Sequence, residues 1–466
     1  MLLNLIILFF KLNMIYSQII IPFTTIKENI TPSDYVSTFM YSSFNNKIIT
    51  KINIGNPPQE IPLRIKTLRV PLSINSIRMG TYKTILFNES NSSSYIPLHE
   101  KPYYYGELDF TNAIKSKEEI NFGNNLILKN ISFLLGIEDY KGHRESGVLG
   151  LNLPDSDHRV RDVTFIKQLK ERDLINNYTF FIEYEKDSCN ESNKGNLILG
   201  MFPHEYNKDK YDIKKFKEFY AEIVGSTMGF KINQALYGNN DTIDEDFKVQ
   251  LAVEDNFIRG NKIFKEFLLD NFFNKYITKR ICFESKFSYL DDTNSQFFYC
   301  EKKVNLSQFQ NIKLIVDNFG INENDNDSNN NTNLIIELNY EDLFTEFDNK
   351  YYFLMYFPDN DYESTYFKLG KILFQKYLIN FNLETKKIGF YYNEKEGKED
   401  SNNGNDGYNE ENKDNIAPWI LVGILVFIVM ILIGFIIYIN PCKKRTKRAN
   451  ELIDDNYTYE EGINQS

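Results

Sequence analysis

The chain has 466 residues, with 53 Lys and Arg against 64 Asp and Glu and a formal net charge of −11. That length is enough for two lobes with ordinary cores. An acidic balance, with no long basic stripe outside the C-terminal region, excludes nucleic-acid binding through phosphate contacts.

Residues 1–17 open with the apolar run Leu2–Phe10, too short to span a bilayer and read as the core of a secretory signal peptide. Further on come short alternating or fully apolar runs bounded by Gly, Asn and Pro, such as Ile48–Ile54, Asn125–Leu128, Tyr178–Tyr184 and Asn196–Gly200. Runs at this spacing predict an all-β body with few helices. Helices are predicted at Val163–Leu174, where Phe165 and Leu169 share a face, and at Lys262–Asn274. The Asn/Asp run Asn322–Asn333 reads as a solvated loop insertion, and residues 393–416, polar and poor in large apolar side chains, as a disordered stalk.

Residues 417–440 hold about twenty uninterrupted apolar residues, enough to cross a ~30 Å hydrocarbon core as a helix. Trp419 and Tyr438 stand at its ends, and the basic run Lys443–Arg448 follows. The positive-inside rule then makes 441–466 a cytoplasmic tail. The expected protein is single-pass, with its N-terminal part extracellular or lumenal in the secretory or endomembrane system.

Cys282 and Cys300 would close a loop of about 18 residues, worth on the order of 3 kcal/mol in the chain-entropy model. Cys189 is left without an evident partner, and Cys442 lies beside the apolar span. Asn-x-Ser/Thr acceptors, among them Asn88, Asn130 and Asn305, fit a glycoprotein of the secretory route. The histidines (His99, His143, His158, His204) form no metal-ligand pattern, and no Gly-x-Ser-x-Gly elbow occurs.

Several segments carry a family resemblance in chain order. Asn53-Ile-Gly-Asn-Pro-Pro-Gln59 runs into the apolar stretch ending at Lys66. Ser146-Gly-Val-Leu-Gly-Leu151, Gly195-Asn-Leu-Ile-Leu-Gly200, Phe219–Phe230 and Phe367–Phe390 follow. Together, over roughly residues 45–392, they resemble the pepsin-like aspartic proteases. The resemblance implies a two-lobed all-β fold with a central cleft, an N-terminal lobe at 45–205 and a C-terminal lobe at 206–392. It also implies a flap hairpin at Tyr105 and Gly106, a second-lobe disulfide between Cys282 and Cys300, and no cofactor or metal.

In that family the apolar strand after Gly-x-Pro-Pro-Gln runs into Asp-Thr-Gly-Ser. Counted without a gap from Gln59, Lys66 falls at the first catalytic aspartate; Thr67 keeps its type, while Leu68 and Arg69 stand where Gly and Ser belong. The second motif falls within Val249–Asp255. The nearest register puts Glu254 at the aspartate, and a slip of one puts Asp255 there.

The chemistry needs two carboxylates about 3 Å apart that share one proton, one acting as base on a water and the other as acid on the substrate carbonyl. The pair titrates as a unit. A lysine in it removes one acid and ties up the other. The expectation is a membrane-anchored pseudoprotease whose cleft is available to a peptide or protein ligand. The alternative is an active aspartic endopeptidase of secretory or vacuolar compartments, its dyad built from other acids, with Glu60 and Asp255 the nearest candidates. A third reading is a folded spacer whose cleft is filled by its own side chains, such as Leu68 and Phe257.

Overall fold

The computed structural model describes residues 18–27, 46–67, 70–80, 85–98, 112–123, 126–138, 146–151, 161–185, 194–224, 227–238, 241–289, 293–316, 334–359 and 366–391. Segments 1–17, 393–416, 417–440 and 441–466 lie outside the described residues, as do Leu68, Arg69, Tyr105, Gly106 and Cys189.

Period-2 burial shapes the strands. Gln59–Lys66 buries Ile61, Leu63 and Ile65 completely, while Pro62, Arg64 and Lys66 stay partly exposed. It pairs antiparallel with Asn46–Ile54, from Ile54 opposite Gln59 to Ile49 opposite Arg64. The turn between them starts at Gly55, whose φ of +87° an L side chain rarely adopts; a Cβ there would also lie 2.7 Å from Ser92 Oγ.

Among the described residues the strands form one sheet of 13 and one of 12. The larger sheet is built mainly from the first lobe, yet its members do not follow chain order. Ile19–Lys27 sits between Lys194–Leu199 and Asn46–Ile54. From the other end of the chain, Leu378–Asn382 pairs with Thr179–Tyr184, and Lys387–Tyr391 pairs with Leu378–Asn382 and with Phe216–Tyr220. The chain's late strands thus return to the first lobe's sheet and tie the lobes together. Ile19–Lys27 precedes residue 45, where the first lobe is expected to begin. Its alternation was there to be read, since Ile19, Ile21 and Phe23 are buried between exposed or half-buried neighbours.

The second sheet runs from Cys282–Tyr289 at one edge to Leu334–Leu338 at the other. Cys282 and Cys300 face each other in an antiparallel pair and are bonded, with S–S 2.01 Å, as the sequence implies. Both helical segments are present. Phe165–Glu171 buries Phe165, Ile166 and Leu169. The second is a continuous helical run from Lys262 to Ile277, opened by the Asn261 side chain accepting from the Phe264 amide at 2.8 Å.

Candidate functional site

Two short parallel strand pairs, one in each lobe, position the site. In the first lobe Gln59–Lys66 lies beside Gly147–Gly150, with Arg64 opposite Val148, Ile65 opposite Leu149 and Lys66 opposite Gly150. The Leu151 amide donates to the Lys66 carbonyl at 3.0 Å. This approach needs glycine: a Cβ on Gly150 would lie 1.8 Å from the Val70 carbonyl oxygen, and one on Gly147 would lie 2.4 Å from that of Ser73.

The second lobe repeats the device. Phe247–Leu251 lies parallel to Tyr366–Leu369, with Leu251 opposite Leu369. The Ala252 amide donates to the Leu369 carbonyl at 3.1 Å, which carries the register one step further, to Ala252 beside Gly370. Gly370 is as crowded as Gly150; its Cβ would meet the Asp255 carbonyl oxygen at 2.2 Å. Leu149-Gly150 and Leu369-Gly370 are therefore matching landmarks: strand pairing sets Ala252 beside Gly370 as it sets Lys66 beside Gly150, while the Lys371 amide, which follows Gly370 as Leu151 follows Gly150, donates to the Asp255 carbonyl at 2.6 Å. Glu254 and Asp255, the acids expected at the second motif, stand two and three residues after Ala252 in the same turn, whose Asp255 amide donates to the Ala252 carbonyl at 3.0 Å.

The loops meet through Thr67, which is 1% exposed. Its hydroxyl accepts from the Val253 amide at 3.3 Å and lies 3.2 Å from the Leu251 carbonyl, on either side of Ala252. Glu254, 5% exposed, turns its carboxylate back to the same residue: Oε2 accepts from the Thr67 amide at 3.0 Å and from its hydroxyl at 2.9 Å. Arg64 Nη2 reaches the Glu254 carbonyl at 3.4 Å.

Asp255 is used differently. Its carboxylate pairs with Lys368 at 2.7 Å, both side chains about three-quarters buried, and its carbonyl accepts from the Lys371 amide at 2.6 Å. Burial works against the Lys368 ammonium, but the Asp255 carboxylate, helped by Tyr356 and Glu254, holds its pKa above the ordinary lysine value. Glu60 stands six residues from Lys66, about 20 Å along the strand. It is ion-paired there with Lys51 at 2.7 Å. Phe257 packs with Phe287, Phe297 and Tyr352 in a second-lobe cluster. The flap residues Tyr105 and Gly106 lie outside the described residues. Among the described residues, no group of three or more His, Cys, Asp or Glu is placed to hold a metal.

The sequence does not show the contact of Thr67 with the second loop or the ion pair of the lysine at 368, while the repeated Leu-Gly pair is the signal available for the pairing of Ala252. Nothing local announces the other two, because their partners lie more than a hundred residues away in sequence.

A mostly β molecule of two sheets, with a pair of glycine-backed loops in contact, fits a pepsin-like architecture. Residues 47–243 match the family model for eukaryotic aspartyl proteases, spanning most of the first lobe and the opening strands of the second. That match supports placing the chain with the pepsin-like aspartic proteases. No curated protein matches it.

Proposed function

We propose that this protein is a membrane-anchored, non-catalytic member of its family whose inter-lobe cleft binds a peptide or protein segment. One observation carries the reading: the two equivalent positions where the loops meet hold Lys66 and Ala252. Aspartic chemistry runs on two carboxylates sharing a proton, and an alanine methyl can neither accept nor deliver one. The acids of the second loop are committed nearby, Glu254 to Thr67 and Asp255 to Lys368. The anchor rests on the apolar span 417–440 and the basic run behind it.

The test offers the purified full chain an unstructured protein from about pH 3 to 7, the range in which carboxylate dyads operate. The expected result is no peptide-bond hydrolysis, together with saturable capture of peptides by the intact chain. Hydrolysis that disappears on Glu254→Gln or Asp255→Asn would restore the endopeptidase reading.

A further inference from the structure

The fold's internal symmetry exposes an imbalance in how the lobes grip each other. Thr67 and Val253 are counterparts, each following directly on the paired position, Lys66 or Ala252. The Thr67 hydroxyl reaches across to the Val253 amide and the Leu251 carbonyl. A symmetric return bond would need a hydroxyl at 253 to accept from the Thr67 amide, and valine has none. That amide is nonetheless satisfied, because Glu254 Oε2 stands 3.0 Å away and also takes the Thr67 hydroxyl.

We propose that Glu254 is an inter-lobe clasp, a carboxylate that takes over from the hydroxyl missing at Val253 and fixes the two loops against each other at the cleft floor. Two physical facts support the assignment. A buried backbone N–H needs an acceptor, and Glu254 Oε2 is the one given to Thr67. A carboxylate only 5% exposed also needs donors, and Oε2 finds both of its donors on the opposite lobe, while Oε1 is buried without a hydrogen-bond partner. The side chain's polar bonding is thus spent wholly across the junction. The inference concerns how the lobes are joined and stands whether or not the cleft takes a peptide.

Hydrogen–deuterium exchange of the full chain tests it, read on peptides containing Thr67. Glu254→Ala is expected to speed exchange there about tenfold or more, the loss of a charge-assisted bond. Adding Val253→Thr to Glu254→Ala is expected to return the rate to within about threefold of the parent, since a hydroxyl then stands where the symmetry asks for one. A role in packing alone predicts no such rescue. Exchange unchanged in Glu254→Ala, or unrescued in a double variant that keeps the parent's near-UV dichroism, overturns the clasp. Should Glu254→Ala alone not fold, folding of the double variant supports the clasp and its failure overturns it.

Discussion

Replacing Gly150 by alanine probes the strand register on which the site rests. The added Cβ would stand 1.8 Å from the Val70 carbonyl oxygen and 2.7 Å from its carbon. Both are backbone atoms, so no flexible side chain can swing away, and the strand must retreat by more than an ångström. Overpacking of this kind costs about 1–3 kcal/mol. The retreat also disturbs the 3.0 Å bond from the Leu151 amide to the Lys66 carbonyl, worth about 1 kcal/mol more. The expected loss is therefore about 3 kcal/mol of unfolding free energy, read from urea titrations followed by tyrosine near-UV dichroism. Gly370→Ala, facing the Asp255 carbonyl at 2.2 Å, is expected to fall in the same class. Gly123 is the control: nothing lies within 4 Å of its Cβ, so alanine there bears only the left-handed backbone penalty of about 1 kcal/mol. If Gly150→Ala and Gly370→Ala prove no worse than Gly123→Ala, the close pairing of both loops is refuted.

Removing the disulfide by Cys282→Ser with Cys300→Ser, 18 residues apart, is expected to cost about 3 kcal/mol. Reductant should shift the unfolding midpoint of the parent and leave the variant unmoved; a parent indifferent to reductant would contradict this. The third prediction concerns pH. Burial lowers the pKa of the His204 imidazole, with Glu205 opposing, and its Nδ1 faces the Tyr391 hydroxyl, which also accepts from the His204 amide at 3.1 Å. The unfolded chain, titrating near the ordinary value of about 6.5, binds the proton first. The His204 contribution is thus complete above about pH 6.5 and is lost as pH falls through the lowered folded value. His204→Gln should flatten the decline of stability between about pH 7 and 5, and an unchanged slope in that variant would assign the decline to other groups.

Much of the fold was legible because it is written in local periodicity. Ile61, Leu63 and Ile65 alternate with Pro62, Arg64 and Lys66, and the structure buries the first set. The helix at Phe165–Glu171 shows in the spacing of Phe165 and Leu169. The pairing of Cys282 with Cys300 was also legible, since these two close a loop of modest length within one lobe. The pairing of the second loop was not legible for a different reason: Ala252, which strand pairing sets beside Gly370, has no polar group to mark it.

The sequence by itself determined a mostly β body and the position of Lys66 at the end of its strand, which follow from alternation and from landmarks a few residues apart, and the family resemblance implied the bonded cysteine pair. Only the tertiary structure decided that Ala252 lies beside Gly370, that Glu254 serves Thr67 and that Asp255 serves Lys368. The reason is physical: a strand's register is fixed by the partner it pairs with, and a buried carboxylate's role by the donors that surround it. In this chain both come from segments more than a hundred residues away.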